Sequence, residues 1–530
     1  MESSGEVVTL RRMNIPRSAG PRARAVRFLP LFLAVAFAPS SWLLTGRALA
    51  AQAVQPAVPP AGAATAPPSA TPAPSNEEFL RAADEVLAQM SELLHLPIKE
   101  PLKKSLRSRQ EIRAYLVREE EEDKDDAQRY ADRKALEAFG LIPKDFPLDS
   151  FLLDLLTEQI AGLYDSKTKE FYIADWIPVD QQREVMSHEL THALEDQSFQ
   201  VDGWIKAARP NDDAELARDA VSEGTALAAM VDYALRDEHV TVRSLPDITL
   251  LIRSSTLAAM DQDPQLAQAP LFIRDGLMFP YLAGAAFSQQ FLKAHEGWED
   301  VKLLFENPPL STQQILHPAL YLNGTAPEKV ALPVGKGILP DGWRLLEENV
   351  LGEFGFEEVL KQFLGAERAD QLSPAWVGDR YAVFEDAQTT NLSLVLYLAL
   401  DNSEDAGRFF GQYSEALEMK YKTRQKLFRR PNFFEFQTDA AGNGAFLRCV
   451  ATRCLVVEGA TRATYDALNS AIGWTAAPAP PEETDSAPVG HARATGASPL
   501  PPAARHAAIS EISLPPFAVD RPMLQPNYTQ

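Results

Sequence analysis

Two histidines stand four residues apart with a glutamate between them in "EVMSHELTHALEDQSF", Glu184 to Phe199. On an α-helix such positions share one face, so His188 and His192 can offer ring nitrogens to one ion. Glu189 is rotated by one position and reaches a water at that ion without itself being a ligand. Metal-assisted attack of water on a carbonyl needs this division, with a cation to acidify the water and a carboxylate to take its proton. With eight histidines in 530 residues, random placement yields such a His-Glu-x-x-His on the order of 0.01 times. The competing reading is a capped helix with two exposed or hydrogen-bonded histidines.

A two-histidine site needs a third protein ligand and an open fourth position. Residues 197–201 carry no histidine that would extend the motif, so the ligand comes from elsewhere. Glu223 in "DDAELARDAVSEGTALAAMVDYALR" is the candidate, on a helix apolar all round and therefore buried. A carboxylate among Ala220, Val221, Ala226 and Leu227 is costly unless paired or metal-bound, and Gly224 beside it permits close helix approach. His188, His192 and Glu223 with an open position suit Zn2+ best. A donor for the oxyanion of a tetrahedral intermediate is also expected. "PPLSTQQILHPALYL" offers His317 and Tyr321 after a Ser311-x-x-Gln314 helix start, and Tyr281 is a further candidate; the alternative is a structural role, with His317 capping the end of a helix before Pro318. His95, His239, His295, His491 and His506 lack ligand partners at useful spacing.

The elements that hold these residues are legible around them. "QIAGLYDSKTKEFYIAD", Gln159 to Asp175, has two apolar and aromatic runs about a polar turn, a hairpin signal. Asp180 is a candidate N-cap for the following helix, so the histidine pair leaves a hairpin. Upstream, Ser108-x-x-Glu111 is a capping-box signature for a helical stretch that closes at Gly140. The acidic run Glu119 to Asp126 lacks the glycine and alternating ligands of a calcium loop and reads as a solvated helix face. From about residue 339 strands and helices mix, with a hairpin around "CVATRC" that sets Cys449 opposite Cys454. The expected fold class is α+β: a mostly helical domain over 77–338, followed by a smaller α+β accessory domain over 339–475.

HELTH followed by a buried helix carrying EGTA resembles the gluzincin group of zinc metallopeptidases. "AGLYDSKTKEFYIAD", "HELTHALEDQSF", "AVSEGTALAAM", "PPLSTQQILHPALY" and "WVGDRYAVFED" resemble a poorly characterised family of exported bacterial HExxH proteins. The resemblance implies a zincin-like metallopeptidase domain, with His188, His192 and Glu223 as metal ligands and Glu189 as base. It implies a peptide or unfolded protein as substrate, paired with an edge strand, here "EFYIAD", Glu170 to Asp175. The chain departs from better-known gluzincins in having Leu227 where an aspartate follows the ligand glutamate by four residues, and it lacks the Gly-x-Met-Glu-Asn aminopeptidase motif. Asp196 is then the candidate for orienting a histidine ring. The second class of function is a non-catalytic binding or scaffold protein, a degenerate peptidase whose recognition surface is the accessory domain.

Composition bounds the setting. A formal charge of −22 argues against a nucleic-acid partner, because phosphates would be repelled. The basic run "KTRQKLFRR", Lys422 to Arg430, reads as a solvated face. Arginines ahead of "FLPLFLAVAFA" and the small residues "ALA" at 48–50 form a secretory signal pattern over residues 1–50. The alternative is an uncleaved membrane anchor, although Pro39, Ser40 and Ser41 interrupt the apolar run. Export, to a periplasmic or extracellular location, favours one local Cys449–Cys454 disulfide. Residues 51–76 read as a Pro/Ala-rich linker and 476–530 as a disordered Pro/Ala-rich tail.

Overall fold

The computed structural model describes residues 76–478, apart from 124–125, 160–161, 176–178, 251, 253–263, 335–337, 339, 341 and 423. The signal segment 1–50, the linker up to residue 75 and the tail beyond 478 lie outside the described residues. Among the described residues no helix is long and apolar enough to cross a membrane.

The fold is α+β. The helical half contains α1 (Asn76–Leu94), β1 (Lys103–Arg107), α2 (Arg109–Asp123), α3 (Asp126–Phe139) and α4 (Leu148–Gln159). It continues with β2 (Gly162–Asp165), β3 (Glu170–Ala174), α5 (Val179–Phe199), α6 (Val201–Lys206), α7 (Asp212–Ala234), α8 (Leu271–Ala294) and α9 (Thr312–Leu316). The capping box forms: Ser108 N–H donates to Glu111 Oε2 (2.8 Å), and Glu111 N–H donates back to Ser108 Oγ (3.4 Å). The hairpin also forms, with Asp165 Oδ1 accepting from the Lys167 and Thr168 N–H groups across its turn. Helix α5 begins at Val179, one residue ahead of the expected cap at Asp180.

The three-stranded sheet has the order β1-β3-β2, with β1 parallel to β3 and β2 antiparallel to it. This corrects the expectation for "EFYIAD". Strand β3 is central because β1, which lies more than sixty residues upstream and is joined to it by no turn signal, claims its second edge; β2 is the edge strand beside α5.

The sheet half contains β4 (Trp343–Asn349), α10 (Gly352–Leu364), β5 (Trp376–Asp386), β6 (Leu392–Leu400), α11 (Ser403–Lys420), β7 (Gln425–Arg430), β8 (Phe433–Gln437), β9 (Gly444–Val450), β10 (Arg453–Ala460) and α12 (Arg462–Ala471). Its seven antiparallel strands run β4-β5-β6-β10-β9-β8-β7. Alternation along β6 sends Leu394, Leu396 and Leu398 to the face covered by α10 and α11, and Val395 to the face covered by Tyr465 and Leu468 of α12. Cys449 and Cys454 are cross-strand partners joined in a disulfide.

The expected separation into domains 77–338 and 339–475 is replaced by one compact unit that ends at Pro478. One hydrophobic core runs from α3 and α7 through α8 to the α10–α11 face of the large sheet. Neither half has a closed core of its own on that side, so the apolar faces are buried only together.

Helices α7 and α8 make the closest approach of the helical half. A Cβ on Gly224 would fall inside the Gly284 peptide group, and one on Gly284 would fall on the Ala220 carbonyl. Gly284→Ala forces α7 and α8 apart, an overpacking strain of roughly 1–3 kcal/mol. Thermal unfolding should show a midpoint lowered by several degrees, and an unchanged midpoint would rule out the close approach.

Candidate metal centre

Helix α5 is amphipathic in an unusual sense, because both faces are buried. Met186, Leu190, Ala193 and Leu194 pack with Phe79, Val86 and Met90 of α1 and with β3. The opposite face carries His188, His192 and Glu195 toward α7. Helix α7 is held at that distance by its glycine contact with α8, and it carries Ser222, Glu223 and Thr225 back toward α5.

The histidines and Glu223 converge as the spacing predicts. His188 Nε2 lies 3.2 Å from Glu223 Oε2, His192 Nε2 lies 3.5 Å from the same oxygen, and the two Nε2 atoms are 3.1 Å apart. All three residues are buried. Two imidazole nitrogens at that separation can share only one proton, so at least one lone pair points at the common centre. Ligands about 2.0–2.1 Å from a tetrahedral zinc-sized ion stand about 3.3 Å apart. The observed triangle matches that edge length, so its three donors fit a divalent transition-metal ion. No other group of three histidine, cysteine or acidic residues among the described residues has its ligand atoms so close together.

Glu189 is 1% exposed, and its Oε2 accepts from the Tyr164 N–H of β2 (3.1 Å). Gly162 permits this approach, since a Cβ there would press on Val185 and on the Glu189 Cγ. Burial holds the Glu189 carboxyl well above the usual carboxylate range, with the negative charge of Glu223 reinforcing it against the opposing charge of His192.

The surroundings of His192 correct the expectation for Asp196. The atom at His192 Nδ1 is Ser222 Oγ, at 3.3 Å. Asp196 is buried but receives the Tyr164 hydroxyl (2.8 Å) and an ion pair from Lys169. Glu195 stands behind the histidine instead, accepting from the Thr225 hydroxyl (2.8 Å). Burial pushes its carboxyl up to about 7, with His192 opposing the rise. Helical spacing from His192 offered a signal for Glu195; nothing in the pattern of α7 marked Ser222.

The expected oxyanion donors His317 and Tyr321 are engaged by other partners. His317 closes α9, with its Nε2 2.7 Å from Glu353 of α10. The Tyr321 hydroxyl donates to the Asn307 carbonyl (2.7 Å), and its ring packs on Phe287 and Phe291. Neither contact includes a residue of the triad. Both groups are taken up in tying the end of α9 to its neighbours, a demand that local sequence does not reveal. The tyrosine that does lie against the triad is Tyr281 of α8, stacked on the His188 ring with centroids 6.3 Å apart.

Residues 343–469 match a domain of unknown function, DUF8575. That span coincides with the sheet half from the first residue of β4 almost to the end of α12. No curated protein and no solved structure matches the chain.

Burial lowers the proton affinity of His192, but the charge and hydrogen bond of Glu223, with Glu189 and Glu195, outweigh it and lift its pKa above the usual imidazole range. A raised pKa means that His192 carries a proton at neutral pH, which an incoming metal must displace. Metal affinity therefore rises with pH through neutrality, with close to one proton released per ion bound. Calorimetry in buffers of different ionisation enthalpy measures that release, and its absence at pH 7 would contradict the His192 assignment.

Proposed function

We propose that this chain is an exported zinc metallopeptidase of zincin-like architecture that hydrolyses peptide bonds in peptides or unfolded proteins. The observation that carries the reading is the convergence of His188, His192 and Glu223 on one buried point, with Glu189 one residue along the same helix. Two imidazoles and one carboxylate, with no fourth protein ligand in the group, form the donor set of a hydrolytic zinc site. Zinc held by these three residues would supply Lewis acidity, enough to lower the pKa of a water to about 7.

The remaining chemistry belongs to the chain. Glu189 takes the proton of the attacking water and returns it to the leaving amine nitrogen, and its lifted proton affinity suits it to hold that proton between the two steps. The Tyr164 N–H fixes one carboxylate oxygen, so the carboxylate does not rotate away. Ser222 sets the plane of the His192 ring through Nδ1. Tyr281, whose ring lies against His188, would donate its hydroxyl to the developing oxyanion. The Cys449–Cys454 disulfide supports an oxidising compartment, in line with the signal pattern at the N-terminus.

Glu189→Gln keeps the metal and cuts peptide hydrolysis by roughly 10²–10⁴-fold, the range of a general base. Glu223→Ala loses full-affinity metal. Elemental analysis of both variants beside hydrolysis of an unstructured protein tests the reading. A metal-free wild-type chain overturns it; a metal-loaded chain that cuts nothing leaves a scaffold with a structural ion.

A further inference from the structure

A cavity of about 190 Å³ opens beside His192 and Glu223. It is smaller than the roughly 300–1,000 Å³ of sites for drug-sized ligands, so it takes one long side chain rather than a whole small molecule. Its walls are apolar in part, with Leu116 of α2, Phe139 of α3 and Leu351 and Phe354 from the sheet half. Its polar lining is one-sided: among the described residues it has nine aspartates and glutamates and no lysine or arginine.

Several of those acids are neutralised by cations that do not line the cavity. Lys167 pairs with Glu119, Lys169 with Asp196, Lys206 with Asp202 and Arg209 with Glu215. Asp213, at the start of α7, has no such cation among the described residues. It is 3% exposed, its Oδ1 accepts from the Thr312 N–H (2.9 Å) and the Thr312 hydroxyl (2.5 Å), and its Oδ2 has no hydrogen-bond partner among the described residues. A buried carboxylate oxygen left without a partner is costly, and a cation delivered into the cavity offsets that cost. The occupant is not a second metal ion, because among the described residues only the His188–His192–Glu223 group brings three ligand atoms together. Carboxylates spread over apolar walls suit a cation on an aliphatic stem, which lies along the walls while its N–H groups reach the acids.

We propose that this cavity is the specificity pocket of the peptidase and receives the lysine or arginine side chain of a substrate residue next to the scissile bond, with Asp213 as its buried acceptor. The proposal rests on the peptidase reading above. It also gives the sheet half a role in recognition, since the connection between β4 and α10 forms one wall.

The test uses the zinc-loaded chain and a peptide series of fixed sequence in which one position is lysine, arginine, norleucine or glutamate. Lysine and arginine peptides should be cleaved at least tenfold faster, in kcat/KM, than the norleucine peptide, and the glutamate peptide slowest. Asp213→Asn, whose amide oxygen still accepts from Thr312, should collapse the lysine-to-norleucine ratio, as should Asp219→Asn, another acid of the lining one turn before Glu223. Hydrolysis without preference for a basic residue overturns the pocket and leaves the peptidase reading standing. Binding to the Glu189→Gln chain separates the two ideas. Selective binding of the lysine peptide with no hydrolysis by wild type sustains the pocket and removes the peptidase, whereas equal binding of lysine and norleucine peptides overturns the pocket.

Discussion

The organisation of the helical half depends on one buried carboxylate. Glu223 is 1% exposed in the middle of a helix surrounded by alanine and valine, where an ionised group is tolerated only against opposite charge or a metal. The two imidazoles of α5 meet that requirement, and its geometry dictates much else. Helix α5 must turn its histidine face toward α7, and α1 and the small sheet must therefore cover its other face. Helix α8 must come close enough behind α7 to seal the carboxylate from water, which only glycines at 224 and 284 allow. The result is a centre whose three donors are held by two helices, each buried on both sides and so unable to shift independently.

Much of this was legible in the chain itself. The i, i+4 histidines, the glutamate between them and the isolated Glu223 beside a glycine are local or near-local patterns, and they converge as expected. The capping box at Ser108, the hairpin ahead of α5 and the cross-strand cysteines are local too, and each forms. What failed was long-range. Strand β1 joins β3 from sixty residues upstream, and no turn signal announces a parallel partner. For His317 the alternative of a helix-end cap is what forms, and the groups that engage it and Tyr321, Glu353 and the Asn307 carbonyl, are brought near only by tertiary packing. Asp196 was the reasonable partner for His192 by spacing, but Lys169 and Tyr164, from the hairpin, hold it instead.

The boundary near residue 339 is real in sequence texture and in the span of the DUF8575 match, yet it is not a boundary of the core. Leu351 and Phe354 face the cavity beside the triad, and Phe356, Val359 and Leu360 join the core shared with α7 and α8. Asn349 Oδ1 accepts from the Asp212 N–H (3.1 Å) at the very start of α7. Two segments that read as separate domains thus share one core, and the accessory segment packs against the metal-bearing helices as well as lying beside their site.

The contact between Gly352 and Asp213 carries a consequence for how such a chain can change over generations. Gly352 has a φ of +75°, and a Cβ there would overlap the Asp213 carboxylate. The two positions are 139 residues apart and belong to different halves, yet position 352 cannot take a side chain while Asp213 keeps its place. A lineage that gives up glycine at 352 must first shorten residue 213, and with it surrender the acid at the cavity floor. Inheritance of the sheet module and the chemistry of the pocket are in this way tied together at a single atom-sized gap.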